Sequence, residues 1–242
     1  MSSRQRAVNG LDTAKDGRVL VLEEALARLN EIIGNRKLKM HIEYSKLAEL
    51  ISRAGSLLYE VKYSYLPASD LAELDATETM VQAVLDIGAK YDDAVASTGF
   101  NPTTTKDRIT MAEMRYCIRT AKGFQRRLKE YDDDPGHAID ILAVEVTQTR
   151  PVPEASNLSE CRCTDGKRIW TIVTNIGGVK ASSKLACAVL PPVDMMGTVS
   201  EAMFLGGEPL PESTSLGLLE EPSEKALAQA RAQVLAITKR VK

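Results

Sequence analysis

Four basic residues, Arg115, Arg119, Lys122 and Arg126, recur at steps of four, three and four. On a helix that spacing lines them up in one stripe, and a stripe of guanidinium and ammonium groups is an edge on which a phosphate backbone can lie. Arg108, Arg127 and Lys129 lie nearby, while Glu113 and Glu130 offer the bland alternative of pairing within the helix. A second set of cations, Arg162, Lys167, Arg168, Lys180 and Lys184, is spread over a later, β-rich stretch. Within it, Gly177-Gly178-Val179-Lys180-Ala181-Ser182-Ser183-Lys184 has the glycines and lysines of a phosphate loop. It lacks the Gly-Lys-Ser/Thr ending that clasps a triphosphate, and so reads as a basic loop between strands, open to an RNA backbone.

Catalytic chemistry finds little support. The two histidines, His41 and His137, fall in different segments, and neither stands at a recognisable spacing from a cysteine, serine or carboxylate. There is no His/Cys cluster and no helical His pair for a metal. Cys161 and Cys163 lie two apart, which on a strand turns both to one face, as small core residues rather than a redox pair. The expectation is a protein that is not an enzyme and uses no metal and no cofactor.

These residues need elements to carry them. Val21, Leu22, Ala25, Leu29 and Ile32 predict a helix over Val19–Ile33, stopped by Gly34. Leu38–Leu66 is one long helix or two, ended by Pro67. A third segment, capped by Ser69 or Asp70, runs through Met80, Ala83, Val84, Ile87 and Tyr91 to about Ala96, with Gly88 as a weak point. The fourth, Lys106–Tyr131, carries the basic stripe beside an apolar seam of Met114, Cys117, Ala121, Phe124 and Leu128, with Thr110 and Glu113 at capping-box spacing. Asp132-Asp133-Asp134-Pro135-Gly136 then breaks the helical pattern. Five short strands follow: Ala138–Thr149, Leu158–Cys163, Arg168–Thr174, Leu185–Leu190 and Glu201–Leu205. Five in so short a stretch suit a compact Greek-key barrel. Pro222 opens a last helix with Leu227, Ala230, Val234 and Ile237 on one side.

Charge limits how such a chain can meet nucleic acid. The net charge is -2, so no bulk positive field coats RNA, and contact must be local. Residues 1–135 carry 20 Lys/Arg against 21 Asp/Glu, 136–212 carry 6 against 9, and 213–242 carry 5 against 3. No apolar run approaches a membrane span and no signal core follows Met1, so a cytoplasmic protein without membrane contact is expected.

Between His137 and Pro211 three segments, in order, carry a family resemblance. The first is Ile139-Asp140-Ile141 with Val152-Pro153-Glu154-Ala155-Ser156-Asn157-Leu158. The second is Trp170-Thr171-Ile172-Val173-Thr174-Asn175-Ile176. The third is Met196-Gly197-Thr198-Val199-Ser200-Glu201-Ala202-Met203-Phe204-Leu205. The region resembles the EMAP-type tRNA-binding domain, an OB-fold found at the end of methionyl-tRNA synthetases and in free-standing tRNA-binding proteins. The resemblance implies that Ser200 and Met203 lie at the RNA-facing end, with Arg162, Lys167, Arg168, Lys180 and Lys184 as a basic rim. Asn157 stands where the family tends to place a basic residue, Val152 replaces its histidine, and Leu190-Pro191-Pro192-Val193-Asp194-Met195 replaces a lysine-bearing stretch. Each missing cation removes a phosphate contact, so weak RNA binding with a shallow salt dependence is expected of the barrel alone.

The expected fold is α+β and multidomain: a flexible N-terminus (1–17), an all-α bundle (18–135), a five-stranded OB barrel (136–212), and a linker with a C-terminal helix (213–242) that covers the barrel or joins the bundle. The expected function is non-catalytic binding of tRNA or structured RNA, as an accessory to an aminoacyl-tRNA synthetase or as a self-associating tRNA binder. The alternative is a protein-interaction module whose barrel has lost RNA binding.

Overall fold

The computed structural model describes residues 12–153 and 155–239. Residues 1–11 of the expected flexible N-terminus, Glu154 of the first family segment, and 240–242 lie outside them. Thr13–Lys15 form a single 3-10 turn, and α1 (Gly17–Gly34) starts at Asp16, whose carboxylate accepts from the Arg18 amide at 2.8 Å. The segment after Leu38 is one helix, α2 (Tyr44–Lys62).

The third segment is two helices, α3 (Ala68–Glu73) and α4 (Asp75–Thr98), divided by an extended Leu74. Neither Ser69 nor Asp70 caps it, because Pro67 is the N-cap and both lie inside α3. Gly88 is where α4 and α5 approach. A Cβ there would stand 3.1 Å from Ile118, so the missing side chain allows close helix packing.

The fourth segment also divides, into α5 (Thr105–Lys122) and α6 (Phe124–Glu130), on either side of Gly123. Its cap is Thr104, whose hydroxyl accepts from the Asp107 amide at 3.1 Å. Thr110 instead donates to the Lys106 carbonyl one turn back. Met114, Cys117, Ala121, Phe124 and Leu128 are all buried as the spacing predicts, and α5 packs along α1. Arg18, itself buried, donates to the carbonyls of Tyr131 at 3.0 Å and Asp132 at 2.9 Å, satisfying the end of α6 from the start of α1.

An antiparallel sheet follows: β1 (Ile141–Val152), β2 (Ala155–Thr164), β3 (Ile169–Thr174), β4 (Lys184–Met195) and β5 (Thr198–Phe204), with a short β6 (Gly217–Leu218) beside β1. The order is β3-β2-β1-β4-β5. Each neighbouring pair is antiparallel, so β3 and β5 run in the same direction, and they lie against each other to close the sheet into a barrel. β4 extends past Leu190 because its register slips between Val189 and Val193, and Pro191 and Pro192, which cannot donate to a ladder, sit in that bulge.

The first half of β1, Ile141–Val144, is buried on both faces, hence its continuous apolar run, while Thr147–Pro151 are exposed or half-buried. Leu142, Val144 and Val146 point into the barrel with Cys161, Cys163, Ile172 and Cys187, in a core continuous with that of the bundle. Ile141 packs outward under the last helix, α7 (Glu224–Thr238), against Ala230 and Val234, and Val21 of α1 joins the same cluster. The C-terminal helix thus covers the barrel and touches the bundle as well.

Candidate nucleic-acid interface

The basic stripe of α5 and α6 faces the barrel, and two carboxylates meet it there. Asp140, just before β1, is 8% exposed. Its Oδ2 accepts from Arg119 Nε, and its Oδ1 from Arg126 Nη2 and Arg127 Nη1, all at 2.8 Å. Arg127 is fully buried and also donates to the Thr120 carbonyl. Burial pushes the Asp140 carboxyl up, but Arg127, Arg119 and Arg126 outweigh that and hold it below the ordinary carboxylate range.

Gly123 makes this possible. A Cβ there would fall 2.3 Å from Arg127 Nη1, a group with no free space to retreat into. Gly123→Ala is expected to cost about 1–2 kcal/mol, read as a lower midpoint in urea at unchanged slope. An unchanged midpoint would show that Arg127 can move without leaving Asp140.

The second carboxylate is Glu201 on β5, whose Oε1 accepts from Arg115 at 2.9 Å and from Arg168 at 2.8 Å. Arg168 is placed by the turn before β3, where Asp165 Oδ1 accepts from the Lys167 and Arg168 amides at 2.9 Å each. Its guanidinium lies 3.6 Å from the centroid of the Trp170 ring, and that of Arg119 lies 5.4 Å away. Five arginines therefore share Asp140 and Glu201, and counting Glu130 on Arg126 at 3.4 Å and the buried Asp165 near Arg119, one positive charge is left over at the seam. Lys122 is exposed one turn beyond Arg119 and adds to that excess. The acidic segments at Asp92-Asp93 and Asp132–Asp134 do not supply the stripe's partners among the described residues.

Beside the Arg115–Glu201 bridge a cleft of about 310 Å³ opens between α5 and the barrel, with Arg119, Lys122, Arg168 and Trp170 in its lining. On the other side of the bridge lies a second cleft, of about 320 Å³, reaching Arg108, Glu160 and Thr171.

The structure brings together Arg115, Arg119, Lys122, Arg126 and Arg168 and separates the remaining candidates. Asn157 and Lys180 are exposed at the end of the barrel formed by the β1–β2 turn and the β3–β4 loop. Lys167 is exposed at the opposite end, beside Arg168, and Arg162 stands on the outer wall of β2. The five barrel cations therefore do not form one rim. Lys184 Nζ is occupied by the carbonyls of Glu212 and, at 2.7 Å, Thr214. Ser200 is 3% exposed; its hydroxyl accepts from the Val173 amide at 2.9 Å and donates to the Ala202 carbonyl at 3.1 Å. That hydroxyl ties β3 to β5 and is buried away from the surface. Met203 is half-buried against the α7 cluster, while its neighbour Phe204 fills the barrel.

Asp140, Glu201, Arg127 and Trp170 were not foreseen as members of this junction. Asp140 had a signal: a lone carboxylate between Ile139 and Ile141 on an apolar run must be buried, and a buried carboxylate needs cations. The four cysteines are buried thiols with no disulfide, and burial pushes Cys163 up to about 12. His137 stacks on Tyr131 with ring centroids 4.5 Å apart. Among the described residues no group of three or more His, Cys, Asp or Glu could hold a metal ion, and no helix is long and apolar enough to cross a membrane.

Fold and seam together define an α+β protein in which a helical bundle and a β-sheet curled into a barrel meet across an arginine-rich junction. Residues 141–230 match the family model described as putative tRNA binding domain, and residues 11–130 match the one described as alpha helical domain. The chain carries a tRNA-binding domain preceded by an alpha-helical domain. No curated protein matches it significantly.

Proposed function

We propose that the protein is a non-catalytic, cytoplasmic binder of tRNA or structured RNA that works beside an aminoacyl-tRNA synthetase or as a homo-oligomer, without metal or cofactor. The observation that carries this reading is the tRNA-binding-domain match on a barrel joined to a seam where five arginines share two carboxylates. The barrel is read as an OB-type, EMAP-like domain, with the unit boundaries at 135/136 and 212/213. The RNA backbone runs along Arg115, Arg119, Lys122 and Arg126 and continues over Arg168 to Lys167. Recognition on such a surface is by shape and phosphate rather than by base edges. Asn157, Arg162 and Lys180 contribute only where a long RNA wraps the barrel.

The test is an anisotropy titration of labelled bulk tRNA at about 50 and 200 mM salt with duplex DNA as competitor, in the regime where counterion release dominates. Micromolar binding that weakens with salt and prefers tRNA is expected, and Lys167→Glu is expected to flatten the salt slope by about one. Absence of binding at the lower salt removes this reading.

A second reading, a protein-interaction module, rests on a different surface. Tyr59 is 69%, Tyr63 49% and Tyr65 61% exposed, beside a groove of about 390 Å³ between α1 and α2. An exposed tyrosine, Tyr59, on the rim of a groove floored by Leu26, Ile51 and Leu58, with two more exposed tyrosines on the following turn, suits a protein partner. The apolar face of α7 does not serve this role, because Ala226, Ala230, Val234 and Ile237 are spent inside the chain. A salt-indifferent complex disrupted by Tyr59→Ala would establish it.

A further inference from the structure

The cleft between α5 and the barrel differs from a plain phosphate track in having two kinds of wall. One wall is cationic: Arg115, Arg119, Lys122 and Arg168. Glu201 answers two of these, and Asp140 behind the cleft answers Arg119 but is already shared among three arginines. Arg115 and Arg168 each give Glu201 one Nη2, and their side chains stay 41% and 29% exposed beside the cleft, so the rest of each guanidinium edge faces the space a ligand would fill. The barrel wall is apolar, made by Val189, Leu190 and Pro192 around the β4 bulge, with Ile118 of α5 beside the cations. Asp92 of α4 is exposed at the edge, the one further carboxylate besides Glu201 that lines the space among the described residues.

Cation, apolar wall and a carboxylate at the rim are the three recognitions that a nucleotide needs. The phosphate monoester takes the arginine and lysine donors, the base lies on the apolar wall, and ribose hydroxyls donate to Asp92. At about 310 Å³ the cleft is at the small end of ligand pockets, which suits one nucleotide and not two. We propose that this cleft is a binding site for a single nucleoside monophosphate group, either free or as the phosphorylated 5′ end of an RNA. In the second form the inference rests on the RNA-binding reading above; in the first it stands without it.

Trp170, the only tryptophan of the chain, lines the cleft and serves as a built-in reporter. The experiment titrates the full chain with 5′-AMP, adenosine and inorganic phosphate, following Trp170 emission and calorimetric heat together. Saturable binding of 5′-AMP in the millimolar range or tighter is expected, with adenosine and phosphate each much weaker. Lys122→Glu, on an exposed position, is expected to weaken 5′-AMP by about tenfold, the loss of one charge-assisted hydrogen bond. Asp92→Asn is expected to reduce the preference for 5′-AMP over its 2′-deoxy form. Lys167→Glu, outside the cleft, is expected to leave 5′-AMP unchanged while it weakens tRNA.

A parallel titration with tRNA before and after removal of its 5′ phosphate separates the sources. Dependence on that phosphate assigns the cleft to an RNA end, and indifference to it, with 5′-AMP bound, assigns it to the free nucleotide. No saturable heat with 5′-AMP, or binding unmoved by both Lys122→Glu and Asp92→Asn, overturns the proposal. If tRNA still binds in that case, only the cleft assignment fails. If 5′-AMP binds and tRNA does not, the cleft stands and the RNA-binding reading falls.

Discussion

Asp140→Ala is expected to lower the stability of the protein by about 3–5 kcal/mol, the range for removing one partner of a buried ion pair. Three guanidinium groups converge on this carboxylate, and one of them, Arg127, has no route to water. The cost of the variant is chiefly that of the cations left behind, since a buried charge without a partner is worse than no pair at all. A double variant, Asp140→Ala with Arg127→Met, is therefore expected to recover part of the loss, although Arg119 and Arg126 can swing toward solvent in either case. The acid limb of the stability curve carries the same signature. The folded-state pKa of Asp140 lies below its unfolded value of roughly 3.9. Its contribution is thus present in full above pH 4 and is lost as pH falls through the folded value. Asp140→Asn is expected to flatten that part of the curve, measured by urea unfolding at a series of acid pH values. A wild-type acid limb that the variant reproduces would show that other carboxylates set it.

Periodicity carried much of this architecture, and the reasons for its success and failure are local. The seam Met114–Leu128 was legible because a 3.6-residue repeat survives a change of helix, and for the same reason the break at Gly123 was not: a glycine within a helical pattern is tolerated as often as it interrupts. The sequence pattern predicts a strand over Leu185–Leu190, and the bulge at Pro191 and Pro192 is what lets β4 continue to Met195. The basic stripe was legible as a stripe, but not its partners. Arg115 and Glu201 are 86 positions apart and Arg119 and Asp140 are 21 apart, and no repeat links a helix to a strand end. Residue type also announces a donor without saying whether it is already engaged. Lys184 and Ser200 are as polar as Lys122, yet both are consumed by backbone groups and Lys122 is exposed.

Glu201 separates stability from binding more sharply than any other residue at the seam. It is 12% exposed and holds Arg115 of α5 and Arg168 of the β2–β3 turn at one oxygen, so it fastens the bundle to the barrel. Glu201→Ala is expected to cost about 2–3 kcal/mol, less than a fully buried pair because both arginines reach solvent. The same change removes one negative charge from the surface that is proposed to meet phosphate and frees two guanidinium groups for it. Affinity for tRNA should rise, and the slope of log affinity against log salt should steepen by about one, the increment for each additional phosphate neutralised. Stability falling while RNA binding strengthens is an unusual pairing, because nonspecific damage lowers both. If stability and tRNA affinity fall together, the arginines are held for the fold alone, and the cationic excess at the seam is a structural by-product rather than a binding surface. If affinity rises with the steeper slope, Glu201 is the residue that sets how strongly the seam can hold RNA, and its two arginines are the contacts it withholds.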